Sequence, residues 1–254
     1  MNVTNPNENI ARIQSIESCG AVDGFGLRYV VFLQGCQFKC RYCHNRDTWN
    51  MAEGRPMSID DMMREIRSYM HFYRPNRGGV TVSGGEATLQ MPFVINLFRQ
   101  VKTLGLTTCL DTNGCILRYD NQLDELLKNT DLVMLDIKHM DEEQHKKLTG
   151  MTNRHTLKFA QYLSSRNISM WIRYVVVPGW SDQESNVRAL GEFVRDKLGA
   201  AVQYVDILPY HELGKYKWAQ YGEEYELENV APPSKEELER IRTILRSEYG
   251  LATR

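Results

Sequence analysis

Short runs of β-branched and apolar residues alternate with amphipathic stretches about six times along this chain, and that alternation constrains the fold more than any other feature. The predicted strands cover residues 27–33, 80–83, 107–110, 132–135, 170–177 and 202–208. Between them apolar residues recur at helical spacing. Ile59, Met62, Met63, Ile66 and Met70 do so over 58–73, and Phe93, Leu97, Val101 and Leu104 over 92–104. A strand–helix repeat of this kind implies a parallel sheet with helices outside. Eight units close a barrel, whereas about six leave an open, partial one. The expected fold class is α/β, a partial (β/α)6 open barrel whose two free sheet edges need cover. A short edge strand is predicted at 13–18, shorter helices at 123–128, 141–148 and 156–166, and poor order at 1–12. Ser181 with Glu184 and Ser234 with Glu237 have the capping-box pattern, the first opening a helix to Leu198, the second a final helix with Leu238, Ile241 and Leu245 inward. Residues 212–232 read as irregular. No short repeat or internal linker is visible, so one domain is expected over 1–254, with a core of about 13–211 and a C-terminal segment and helix of about 212–250.

The polar chemistry falls at strand ends. Cys36, Glu86, Asp111, Asp136 with Lys138, and His211 each follow a different predicted strand. In parallel α/β folds that rim is where sites are built. Cys36, Cys40 and Cys43 stand at C-x-x-x-C-x-x-C spacing in a polar, basic loop. A closed structural zinc site wants four ligands, and a fully ligated iron–sulfur cube wants four thiolates. Three thiolates on a cube leave one iron open to a substrate or cofactor. The competing readings are zinc completed by His44 or a distant cysteine, and plain burial. Plain burial is the reading given to Cys19, Cys109 and Cys115.

Gly84-Gly85-Glu86 offers bare backbone for close approach and a carboxylate that can hold an ammonium group, although such a triplet alone is an ordinary turn. Asp111-Thr112 and Met134-Leu135-Asp136 bring oxygens to neighbouring strand ends. Two facing carboxylates repel unless a cation lies between them, and a monovalent cation is one answer. Helix capping is the other. Lys138 is a point charge on the same rim, Arg173 lies inside a strand and needs a partner, and His211 is a lone histidine. Tyr42 and His44 flank Cys43 and so lie beside whatever the loop binds.

Composition narrows the partners. A net charge of −1 gives no basic footprint for nucleic acid, and only short apolar runs occur, so nothing spans a bilayer. The first 17 residues lack an apolar signal core. Six cysteines, three clustered, suit a reducing compartment better than a disulfide framework, and a cytoplasmic protein is expected.

The three-cysteine spacing resembles the signature of the radical S-adenosylmethionine (SAM) enzymes. The longer string over 36–49, CQFKCRYCHNRDTW, resembles the pyruvate formate-lyase activating enzymes in particular. The resemblance runs from about residue 13 to 250. It departs at Gly24-Phe25-Gly26, where the family usually has proline between the glycines. The resemblance implies a 4Fe–4S cluster on Cys36, Cys40 and Cys43, and SAM chelating the fourth iron. It implies contacts to that cofactor from Tyr42, Cys43, His44, Gly84, Gly85, Glu86, Asp136, Ile137, Lys138, Arg173 and His211. It also implies a monovalent cation near Asp111, Thr112, Met134 and Asp136. The implied reaction is reductive cleavage of SAM, with electrons from a flavodoxin or ferredoxin. The resulting 5′-deoxyadenosyl radical takes a hydrogen from a glycine of pyruvate formate-lyase. A monomer is expected, with an open slot admitting the partner's peptide and Lys215 and Lys217 on its rim. The alternatives are an activase of another glycyl radical enzyme, a radical SAM enzyme acting on a small molecule, and a non-catalytic metal scaffold. No cysteine occurs between Cys43 and Cys109, so the ferredoxin-like insert of many sister activases is absent.

Overall fold

The computed structural model describes residues 9–254, and the expectation of poor order over 1–8 lies outside the described residues. The chain forms two compact units. The first takes residues up to Cys36, Thr48–Thr112 and Ile116–Met134. It contains β1 (Ile10–Gly20), β2 (Arg28–Leu33), β3 (Arg55–Ser58), α1 (Ile59–Ser68), α2 (Met70–Tyr73), β4 (Gly79–Gly84), α3 (Met91–Thr103), β5 (Thr107–Thr112), α4 (Asn121–Lys128) and most of β6 (Leu132–Asp136). Strands β2, β4 and β5 pair in parallel, with Leu33 opposite Gly84 and Val82 opposite Leu110. Strand β4 is buried through its first five residues, which is why it reads as a continuous run without alternation.

Three expectations for this unit are corrected. Residues 10–12 belong to a strand. That strand, β1, is not an edge: it pairs antiparallel with both β2 and β3. The outer strand is β3, whose Arg55-Pro56 start conceals it in the sequence and suits an edge. The helix predicted over 58–73 breaks at Tyr69, where the Ser68 hydroxyl donates to the Glu65 carbonyl and competes with the helical ladder. Its start is as predicted, with Ser58 accepting from the Asp61 N–H.

The second unit takes Gln37–Asp47, Asn113–Cys115 and Leu135–Arg254. It holds the end of β6, then α5 (Glu142–Thr149), α6 (Arg154–Ser165), β7 (Met170–Val176), α7 (Glu184–Phe193), β8 (Val202–Pro209), α8 (Lys215–Gln220) and α9 (Lys235–Tyr249). Strands β7 and β8 are parallel, with Arg173 opposite Asp206. The other side of β8 is bonded by the tail: the Val205 and Ile207 N–H groups donate to the carbonyls of Ala252 and Arg254, and the Arg254 N–H donates back to Val205. Ser234 and Glu237 form the predicted capping box. Ser181 and Glu184 do not. Ser181 is buried, its hydroxyl donates to the Val175 carbonyl and accepts from the Val177 N–H, and α7 starts only at Glu184 with Gln183 at its cap. The segment read as irregular contains α8.

Strand order is β3-β1-β2-β4-β5-β6-β7-β8 in an open sheet. The six-stranded series β2 to β8 is the one the alternation predicts, and β1 and β3 extend it. Among the described residues no helix is long and apolar enough to cross a membrane.

Candidate functional site

In the first unit the turn after β4 is packed onto the backbone that carries Cys36. The Gly85 N–H donates to the Leu33 carbonyl at 2.9 Å and the Glu86 N–H to the Gly35 carbonyl at 2.7 Å. Gly84 has φ +114°, a conformation that side chains resist. A Cβ on Gly85 would lie 2.1 Å from the Gly35 carbonyl oxygen and 3.1 Å from the Cys36 Cβ. Both glycines are therefore needed for the chain to approach Cys36 this closely. Glu86 follows, fully buried. Its Oε1 accepts from the Thr88 N–H at 3.0 Å, the Thr88 hydroxyl at 2.7 Å and the Thr112 hydroxyl at 2.6 Å. Three donors on one oxygen fix the carboxylate in place. Asp111 accepts from the Ser83 hydroxyl at 2.6 Å. Asp111 and Thr112 are the last two residues of β5, inside the strand and not beyond it, and Met134 is buried in β6.

In the second unit the remaining loop cysteines lie on one turn, closed by the Cys43 N–H donating to the Cys40 carbonyl at 3.0 Å. Cys40 and Tyr42 are buried and Cys43 is half-buried. Burial pushes the Cys40 thiol up to about 12, with the Lys138 cation pulling the other way. Without a metal the thiol keeps its proton at neutral pH, and a bound metal would displace it. Lys138 lies 5.5 Å from the centre of the Tyr42 ring and 3.0 Å from Asp136, the last residue of β6. Arg173 reaches Asp136 at 4.0 Å, and the Ile137 N–H donates to the Arg173 carbonyl at 3.1 Å. Burial pushes the Asp136 carboxyl up, but Lys138 and then Arg173 outweigh it and its pKa falls. The Lys138 ammonium is desolvated too, yet Asp136 holds it well above its usual range. Both stay charged.

His44 stacks on His211 with ring centres 3.9 Å apart, and its Nε2 sits 2.8 Å from the His211 carbonyl oxygen. The buried Nδ1 of His211 has no hydrogen-bond partner. A buried polar atom left so is costly, and a ligand with matching groups relieves the cost.

The first unit thus assembles Cys36 with Gly84, Gly85 and Glu86, and the second assembles Cys40, Tyr42 and Cys43 with Asp136, Ile137, Lys138 and Arg173. Among the described residues no group of three or more His, Cys, Asp or Glu side chains is gathered as a metal site, so a three-thiol centre rests on chain spacing. Cys109 and Cys115 are buried as expected; Cys19 is exposed, because it lies near the end of β1 where the strand leaves the core. Sequence reasoning missed Trp218, whose indole N–H donates to the Cys43 carbonyl at 3.0 Å. The concentration of Tyr216, Trp218, Tyr221 and Tyr225 in a segment read as irregular was the available signal. Lys215 and Lys217, expected on a rim facing a partner, bind Glu228 at 2.5 Å and Asp47 at 2.8 Å within the unit.

Residues 30–189 match the model of the Radical SAM superfamily. The chain is 54% identical over 241 residues to the pyruvate formate-lyase 1-activating enzyme of Escherichia coli K12, covering 95% of this chain and 97% of that one. It is 49% identical over 229 residues to the pyruvate formate-lyase-activating enzyme of Staphylococcus epidermidis, covering 88% and 90%. Among solved structures it is similar to Streptococcus suis SuiB bound to precursor peptide SuiA, with TM-score 0.67 and 18% identity over 91% of this chain and 49% of that one, a likeness of fold alone.

Proposed function

Because the chain belongs to the pyruvate formate-lyase activating enzymes of the radical SAM superfamily, we propose that it activates a pyruvate formate-lyase and that the strand-end residues described above hold the cofactors for doing so. The observation that carries the assignment is the 54% identity over 95% of the chain. Cys36, Cys40 and Cys43 hold a 4Fe–4S cluster, and their number leaves one iron for SAM. When bound, the cluster and SAM supply one-electron cleavage of the sulfonium and a 5′-deoxyadenosyl radical that takes a hydrogen from a glycine of the partner.

The chain's own residues bind and orient. Glu86, with one oxygen fixed by Thr88 and Thr112, would hold the ammonium of the methionine part of SAM. Gly84 and Gly85 give the ligand bare backbone. Lys138 and Arg173 are cations for its carboxylate and ribose, with Asp136 keeping both oriented. Tyr42, His44 and Ile137 would contact the same cofactor, and the His211 Nδ1, which has no hydrogen-bond partner, would be available to its adenosine. A monovalent cation bound by Asp111, Thr112, Met134 and Asp136 belongs to the same proposal. So do a single functional domain over 1–254 with its core at 13–211, a monomeric state, a flavodoxin or ferredoxin donor, and a cytoplasmic location. The unbridged cysteines support that location.

The test is to mix anaerobically reconstituted, reduced enzyme with SAM and pyruvate formate-lyase and record electron paramagnetic resonance. A glycyl radical doublet is the expected result. A colourless, zinc-loaded chain inert to SAM overturns the reading and favours a scaffold.

A further inference from the structure

The cysteine loop of the second unit is gripped from two sides. On one side it rests on the end of α5: the Lys39 and Arg41 N–H groups donate to the carbonyls of Thr149 and Leu148 at 2.8 and 3.0 Å, and the Arg41 guanidinium donates to Lys147 at 2.7 Å. These carbonyls are among the last of the helix and have no helical donor to satisfy them. The loop therefore completes the helix, and the helix fixes the loop.

On the other side lies the segment that follows β8. Trp218 donates its indole N–H to the Cys43 carbonyl. Lys217 pairs with Asp47 at 2.8 Å, both side chains largely shielded from water. Arg46 forms a two-pronged ion pair with Glu223 and stacks over the Tyr221 ring at 4.4 Å. Arg41 reaches Glu226 at 2.6 Å, but that pair is exposed and adds little. Gly214 is pressed against the backbone of His44: a Cβ there would lie 2.5 Å from the His44 Cα. The contacts join residues more than 165 positions apart in the chain, and they fall on Cys43 and on His44, Arg46 and Asp47 just after it.

Phe38, Cys40 and Tyr42 anchor the first part of the loop by burial, but beyond Cys43 its one regular element is the three-residue turn Arg46–Thr48, which is too short to hold a conformation by itself. This stretch is held by an indole, a shielded ion pair and a planar guanidinium fork, groups whose geometry is directional. We propose that residues 211–226 form a clasp whose function is to preset the cysteine loop, with Trp218 and Glu223 as positioning residues acting through the Cys43 carbonyl and Arg46. The clasp holds the loop backbone in one shape in the metal-free protein and slows its opening once a cluster is bound. That second consequence rests on the cluster assignment made above, whereas the first does not.

The test uses the full chain and the variants Trp218→Phe, which keeps an aromatic ring while removing the indole N–H together with the second ring, and Glu223→Gln, which keeps the volume while removing the carboxylate charge. In the metal-free protein, hydrogen exchange is followed over 37–47, with thermal unfolding as a check that each variant is folded. The expected result is loss of protection confined to 39–47 while the rest of the chain exchanges as in the parent. In the reconstituted protein, transfer of iron to an external chelator is timed, and release roughly tenfold faster is expected, the size usual for groups supporting metal ligands. Unchanged exchange in the folded variants overturns the clasp. Altered exchange with parental release rates overturns its role in retention. Failure of the parent protein to take up a cluster overturns the functional assignment instead and leaves the exchange result standing.

Discussion

His145 is a buried histidine with one ring nitrogen committed. Its Nδ1 lies 2.7 Å from the Met151 carbonyl and donates to it, while the buried Nε2 has no partner. The ring meets Phe38 edge-on at 5.6 Å, just ahead of Cys40. Burial lowers its pKa to about 4. Between pH 6.5 and 4 the unfolded chain binds this proton and the folded chain does not, so the stability from a neutral His145 is complete above 6.5 and falls as pH drops through that window. The upper limit is about 3 kcal/mol. In denaturant titrations, His145→Phe should flatten the acid side of the stability profile relative to the parent, and an unchanged slope would contradict the assignment. Gly85 makes a second prediction at this scale. Gly85→Ala forces the β4 turn away from Gly35 and should cost about 1–3 kcal/mol by denaturant unfolding, the usual penalty for overpacking.

Helix starts show how far the sequence could be read. Ser181 and Ser234 both precede a glutamate by three residues, and only Ser234 caps. The difference is tertiary: the turn at 178–180 folds back so that the Ser181 hydroxyl bridges Val175 and Val177, and no helix N–H is left for it to serve. Ser234→Ala should cost about 1 kcal/mol, read from the midpoint of chemical unfolding. The strand-end positions of Cys36, Glu86 and His211 were legible because strand alternation and polar punctuation are local signals. Asp111 and Asp136 were misplaced by one or two residues because a polar residue ends an apolar run before it ends a strand. The clasp was not legible at all. Trp218, Glu223 and their loop partners are brought together by the fold, and neither periodicity nor spacing encodes a contact of that range.

At the scale of the whole molecule the sheet's edges decide behaviour. A bare edge invites pairing with another copy, and here one side ends in a four-residue strand carrying proline while β8 is bonded by residues 252–254. Deleting those three residues strips acceptors from the Val205 and Ile207 N–H groups and separates Arg254 from Asp206. The shortened protein should associate with rising concentration in light scattering where the parent does not.

Arg28 acts across three strands at once. Its guanidinium is fully buried and donates to the carbonyls of Phe25, Val80 and Thr107 and to the hydroxyls of Thr81 and Thr107. Those oxygens line up only when β2, β4 and β5 are in the observed register. A slip of one residue would leave a buried positive charge without those hydrogen bonds. The arginine therefore works as a combination lock on assembly, opening the way to the native arrangement and making every near-miss too costly to persist.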